Sequence, residues 1–465
     1  MLLAPLFAGL LLAQTIAVNT ELEASIPLST SFFVGGVWGY EDASGRYALV
    51  SRHGHGLAVV DCTDPSGAFL LANVPAISAI QDVKTYGTWA YGGADAGPIQ
   101  VVDLSLPAAA ATVATMAVGA HTIQIDGDRL YLNRQAAGME IHDLASNPLA
   151  PAFLGAWPLP THDSTPAGNL CYAFGQGGAR ILDVSNPASI AQVGAQIPAG
   201  IHSGAVTTGL AGGTVLLTTD DFSGGHLRLW DVTDPLAWTF LSSYQTNPTT
   251  SIHNVEVKGA YAFVTYFLDG LRVVDIADPL APIEVGVFDE DPSIAGGVFS
   301  GIDDVYPFQD AVYLTERFPP NSGLRVVEFF PGFGSGCPGP SGASPEIRWS
   351  FGPPSPGSGA FALRIEEAAP AALALLWLST NAGSWLGTPL PADLGTIGAP
   401  GCSLHVAPDL LLAGITAANG ETSFPLPVPN VPGLAGAVLF AQAAVGGAPN
   451  ALGLAFTQGG TLIVK

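Results

Sequence analysis

The sequence predicts an all-β fold on three observations. A short phrase recurs through the first 330 residues: an apolar strand, an acid, then a turn that holds proline. It reads GLAVVDCTDP (56–65), IQVVDLSLP (99–107), MEIHDLASNP (139–148), ARILDVSNP (179–187), LRLWDVTDP (227–235) and LRVVDIADP (271–279). A seventh copy, LRVVEFFP (324–331), has Glu328 in place of the aspartate. The acids are spaced by 42, 40, 40, 48, 44 and 53 residues. Next, 57 glycines and 38 prolines punctuate the chain, and no long segment has a 3.6-residue period. Finally, each unit resolves into about four short runs with period-two alternation or continuous β-branched character. The clearest is HNVEVKG, YAFVTYF, GLRVVDI and PIEVGVFD, within 253–288. A period of roughly 40–50 residues with about four strands per unit is the signature of a β-propeller. Seven copies predict seven blades over 20–330.

In chain order, residues 1–17 form an apolar run followed by small residues, read as a signal peptide without a basic start and with cleavage near Ala13 or Ala17. The run is too short to span a bilayer, and no second apolar run offers a transmembrane segment. ELEASIPLS (21–29) resembles fourth strands such as SIAQVGAQIPA (189–199). The last copy lacks a fourth strand of its own, so this N-terminal strand is expected to close the ring. Within each phrase the acid accepts hydrogen bonds from turn amides, a scaffold role. From about Phe333 the repeat stops. A module rich in glycine, proline and alanine runs over 333–465, with segments such as ALALLWLS and AGAVLFAQAAV that suit a small β-sandwich. Its cysteines, Cys337 and Cys402, lie in glycine-proline loops and are expected to pair in an oxidising compartment. Cys62 and Cys171 read as buried thiols. Trp349, Trp377 and Trp385 suit core packing better than sugar stacking.

The balance of 38 acidic to 14 basic residues repels phosphate backbones, so nucleic acid is excluded as a partner, while cations are admitted. No nucleophile elbow, phosphate loop or HExxH motif occurs, so no reaction class follows.

The candidate site emerges when the units are aligned at the start of their first strands. The positions read Trp38, Gln81, His121, His162, His202, His253 and Asp303. Four of the nine histidines therefore share one position in consecutive units. First strands of propeller blades line the central channel, so these side chains are expected to converge at one mouth. Neutral imidazoles with a carboxylate suit a divalent transition metal, and His121, His162, His202, His253 and Asp303 are the candidate ligands. Asp82, Asp163, Asn254 and Asp304 stand next to them and could orient the imidazoles. Trp38 and Gln81 are candidates for contact with a small ligand. The loops FDEDP (288–292) and TDDFSGG (219–225) are expected on the same side. Structural hydrogen bonding with water, or an organic ligand, would use the same ring. His53 and His55 read as an exposed turn, His142 and His226 as packing or surface, and Asp126 and Asp128 as a hairpin turn.

The stretches VWGYEDASGRYALV, QDVKTYGTWAYGG, HTIQIDGDRLYL, THDSTPAGNLCYAF and HNVEVKGAYAFVTYF resemble the LVIVD repeat of secreted bacterial β-propellers. Residues 31–329 as a whole resemble the choice-of-anchor B family. FGSGCPG and LPADLGTIGAPGCSL resemble a module that ends secreted planctomycete proteins. The resemblance implies an exported, surface-associated protein that binds an extracellular protein or glycan. A metal-dependent enzyme and a small-molecule binder are the alternative readings.

Overall fold

The computed structural model describes residues 16–464, apart from 198–199, 293–298, 310, 319, 351–353, 355 and 435–436. Residues 1–15, on which most of the expected signal peptide and the expected cleavage near Ala13 fall, lie outside the described residues. The chain divides into two compact units, Met1–Glu328 and Phe329–Lys465.

The first unit is built from antiparallel sheets of four strands, an arrangement consistent with propeller blades. Seven such sheets occur among the described residues, one of them extended by a fifth strand. Six of them have four consecutive strands in sequence order from a first strand outward, as in Val255–Lys258, Tyr261–Thr265, Leu271–Asp275 and Ile283–Asp289. Among the described residues there is no α-helix, only single 3₁₀ turns, three of which begin on a phrase's proline. The first strands touch in succession from Val34–Asp42 through Asp82–Tyr86 to Ile302–Phe308, and that last strand touches Val34–Asp42.

The repeated acid has one local function. Asp61, Asp103, Asp143, Asp183, Asp231 and Asp275 each accept from the backbone amide two residues on, at 2.8 to 3.0 Å. This bond turns the chain out of the third strand, so the acid belongs to the scaffold. Hydroxyl and amide donors hold Asp143, Asp183 and Asp231 below the usual carboxylate range. Between the sheets, the branched residues of neighbouring strands pack face to face. Leu217 and Leu229 of one sheet, for example, share a core with Val264 and Val274 of the next. Each such buried side chain contributes about 1.5–3 kcal/mol.

The N-terminal segment joins two sheets. Ile16–Val18 pairs with Ile283–Asp289, and Thr20–Pro27 is the outermost strand of the sheet Gly323–Phe329, Ala311–Glu316, Ile302–Phe308. Between them Asn19 takes φ of 53°, a left-handed corner that asparagine tolerates, and its side chain donates to the Val285 carbonyl at 2.6 Å.

In the second unit, a sheet containing Leu373–Ser379, Leu410–Ile415 and Val438–Gly446 and a three-stranded sheet of Glu346–Ser350, Ala362–Glu366 and Thr422–Pro425 contribute to one core. Ile347, Leu363 and Phe424 meet Leu376, Ala443 and Leu462 there. Trp349 and Trp377 are buried, whereas Trp385 is exposed on a two-residue hairpin strand. Cys337 and Cys402 form a disulfide that closes a 65-residue loop, with Cα atoms 5.0 Å apart. Cross-linking a loop of that length stabilises by about 4 kcal/mol in the chain-entropy account. Cys402→Ser is therefore expected to lower the unfolding free energy of this unit by about that amount in urea titrations. A change below about 1 kcal/mol would show that the sandwich faces alone hold the unit. Cys62 and Cys171 are buried free thiols, each pushed up to about 12 by burial.

Candidate functional site

A cavity of about 330 Å³ opens among the first strands of the seven sheets. Gln81, His121, His162, His202, His253 and Asp303 line it, as do Trp38, Asp82, Asp163, Asn254 and Asp304. The shared position is set by one backbone bond. The amides of Gln81, His121, His162, His202 and His253 each donate to the carbonyl at the end of the adjacent second strand, at 2.7 to 2.9 Å. The side chains that follow the same bond consequently face the same channel.

The four imidazoles form an arc. Ring centroids are 4.4 Å apart for His121 and His162, 4.3 Å for His162 and His202, and 4.3 Å for His202 and His253. The arc ends against Phe267, 4.7 Å from the His253 ring. Backbone carbonyls of the next sheet fix the ring orientation. His162 Nδ1 lies 3.2 Å from the His202 carbonyl, and His253 Nδ1 lies 2.6 Å from the Asp303 carbonyl. Only an N–H can face a carbonyl, so Nδ1 carries the proton and Nε2 keeps its lone pair, the state a metal needs. Burial pushes His162 down to about 4, helped by the neighbouring His121 and opposed by Asp163. Burial likewise holds His202 well below the usual range, with His253 and His162 adding to the effect. Both rings are neutral at pH 7.

The structure redraws the ligand set. One ligand atom from each of His202, His253 and Asp221 lie within 4.8 Å of one another. His202 Nε2 is 3.7 Å from Asp221 Oδ2. Two ligand atoms on one ion at about 2.1 Å each can be no more than roughly 4.2 Å apart, so closing the trio takes a movement of about half an ångström. His121 is not part of this trio, and its Nδ1 lies 2.9 Å from both Asp95 Oδ1 and Gln135 Nε2. Gln81 Nε2 also donates to Asp95, at 3.0 Å. Asp303 is held by Arg317, whose Nη1 stands 2.5 Å from its Oδ1.

Two further expectations meet a different geometry, and one is met. Trp38 does not share the histidine position. In register, Val37 pairs with Val50 as Val83 pairs with Gly92, which sets Gly35 beside Gln81 and Trp38 beside Lys84. Any Cβ at Gly35 would meet the Gln81 carbonyl at 2.7 Å, so the first sheet presses too close there for a side chain. Asp82, Asp163, Asn254 and Asp304 do not orient imidazoles; they join one sheet to the next. Asp82 Oδ2 accepts from the Ile123 amide at 2.8 Å, and Asp304 Oδ2 from the Val37 amide at 2.8 Å. Asp163 Oδ1 accepts from Thr122 Oγ1 at 3.0 Å, and Asn254 Nδ2 donates to Asp304 Oδ1 at 2.8 Å. His53 and His55 lie in a turn as expected, with His55 exposed, and they stack on Phe33 and Phe32 at 4.2 and 3.7 Å.

Asp221, Lys84, Glu256 and Arg317 were not singled out by spacing. Asp221 sits in the TDDFSGG loop, where Asp220 turns back to His226 and Arg228 and Asp221 takes φ of 32°. Ser251 Oγ donates to it at 3.1 Å. Burial pushes its carboxyl up to about 6 against the pull of His253 and Ser251, which leaves it ionised at pH 7. Lys84 is buried over the Trp38 ring at 4.6 Å and bonds Asp82 at 2.8 Å. The lone sequence signal for Lys84 was a lysine inside an inward-facing first strand.

Residues 42–75, 167–195 and 251–290 match the LVIVD repeat. The chain carries LVIVD repeats. The third matched stretch spans all four strands of the sheet Val255–Asp289, and the first ends on the strand Phe69–Val74. No curated protein matches the chain. Among solved structures, a crystal structure of the computationally designed protein Ika8 aligns with 86% of this chain and 99% of its own, at 8% identity and a TM-score of 0.44.

Proposed function

We propose that the protein is an exported, surface-associated β-propeller of seven blades that binds a divalent transition metal at its channel mouth through His202, His253 and Asp221. The convergence of these three side chains, His202 and His253 of them lining the cavity, carries the reading. Two neutral imidazoles and one carboxylate form a ligand set suited to manganese, iron, zinc or copper ions. Three protein ligands leave coordination positions open to a ligand from solution. Ring closure by Thr20–Pro27, as the fourth strand of the seventh blade, is supported by its place in that sheet and by the contact between the seventh and first inner strands. The apolar leader and the Cys337–Cys402 bond support export to an oxidising compartment, as a member of the choice-of-anchor B type with a planctomycete-like C-terminal module. The propeller then presents its metal site to extracellular or cell-surface molecules.

Mass spectrometry on protein recovered from an oxidising compartment tests this. One equivalent of a divalent metal, lost on chelation and regained on addition of salts, is the expected result. No metal before or after soaking with zinc, copper, manganese and iron salts would overturn the reading and leave the ring as a water-bridged structural feature.

A further inference from the structure

We propose that the molecule taken at the channel mouth is an organic carboxylate, anchored by Arg317 beside the metal; this rests on the metal reading above. Arg317 lines the same cavity as His202 and His253. Its Nη1 bonds Asp303 Oδ1 at 2.5 Å, and that oxygen lies 3.5 Å from His253 Nδ1. The two distances together keep the guanidinium nitrogen within 6.0 Å of the imidazole. Arg317 Nε is buried and has no hydrogen-bond partner. A buried N–H without a partner costs free energy that an arriving acceptor would recover.

The guanidinium is held in place by rings. Its centre lies 5.5 Å from the centroids of both Phe33 and Phe318. Phe33 is in turn stacked on His53. This orients a planar fork whose geometry matches a carboxylate, and it sets apolar walls beside the place where the ligand's body would lie.

Charge points the same way. The trio offers two imidazoles and one carboxylate. A divalent ion on this trio keeps one net positive charge, while Asp303 and Arg317 balance each other. Asp82, Asp163 and Asp304 are turned to amides and hydroxyls of neighbouring sheets. An ion on the trio therefore draws an anion to this end of the cavity, although the chain carries a net charge of −24.

Calorimetry on the full chain tests this in two steps. Zinc is titrated first, into the native protein and the Arg317→Gln variant. Benzoate, its neutral isostere benzamide and inorganic phosphate are then titrated into the zinc-loaded forms. Benzoate is expected to bind native protein at least tenfold more tightly than benzamide or phosphate. Arg317→Gln should weaken benzoate at least tenfold while zinc still binds, and Arg317→Lys should recover part of the loss. Equal affinity for benzoate and benzamide, or no effect of Arg317→Gln, would overturn the proposal with the metal site intact. Phosphate binding as tightly as benzoate would overturn the carboxylate class. If zinc fails to bind, the metal reading falls alone when benzoate still needs Arg317, and both fall when it does not.

Discussion

His253→Ala is expected to abolish stoichiometric metal binding, whereas His121→Ala leaves it nearly unchanged. Both residues stand at the same repeat position, and only the loops around them separate their roles. His253 has its proton committed to the Asp303 carbonyl at 2.6 Å, so Nε2 is free, and it converges with His202 and Asp221. His121 is turned toward Asp95 and Gln135. Removing partners that merely orient a ligand weakens metal affinity by about 10–100-fold, so removing one of three ligands should exceed that. Asp221→Asn keeps the volume and removes the charge, and should be as damaging as His253→Ala. The pH dependence has a definite sign. Asp221 gains a proton as pH falls through about 6, and the carboxylate ligand is then lost. Affinity should fall about tenfold per pH unit below that point. Competition with a zinc-binding dye reads all of these. If His121→Ala proves as damaging as His253→Ala, the metal instead sits on the channel axis and uses the whole arc of imidazoles.

The repeat made the all-β architecture and the site's location legible, because both depend on periodicity. A residue that recurs every 40–50 positions must recur at one place in a stack of equivalent sheets. Hence His121, His162, His202 and His253 could be brought to one cavity from spacing alone. What spacing does not encode is where a side chain turns once it is there. Asp82, Asp163 and Asp304 face amides and hydroxyls of the adjacent sheet because neighbouring first strands bring these groups within reach. Trp38 was assigned to the wrong layer because Gly35 and Gly36 leave no side chain to mark the position, and a bulge between Val34 and Val37 shifts the register. Asp221 and Arg317 lie outside the first strands, where the repeat carries no information. The acid of each phrase was legible in role as well as place, since an Asx turn is a local interaction and needs no tertiary partner.

Lys84→Met is expected to cost about 3–5 kcal/mol of stability at pH 8 and markedly less at pH 5. Burial by itself would lower the lysine's pKa, yet Asp82 and Asp304 together hold it above its ordinary value, so it is charged across the neutral range. Three carboxyls depend on that charge. Asp82 bonds it at 2.8 Å, and it pulls Asp304 and Glu256 down against the opposing effect of burial. Even so, Asp304 stays up at about 6 and Glu256 at about 8. Both folded values lie above the unfolded ones of 3.8 and 4.5. Between each pair of values the folded chain holds more protons than the unfolded chain, so stability falls as pH rises through these windows. Without Lys84 the folded values climb further and the windows widen upward, which deepens the loss at pH 8. Near pH 5 the folded Asp304 and Glu256 carboxyls are largely protonated and need no counter-ion. The double variant Lys84→Met/Glu256→Gln removes one of the stranded carboxyls and should recover part of the loss at pH 8, with little effect at pH 5. Urea unfolding of the three proteins at both pH values decides the matter. Equal losses at pH 5 and pH 8 would assign the role of Lys84 to packing of its methylenes against Trp38 rather than to charge. In that case the double variant would show no recovery.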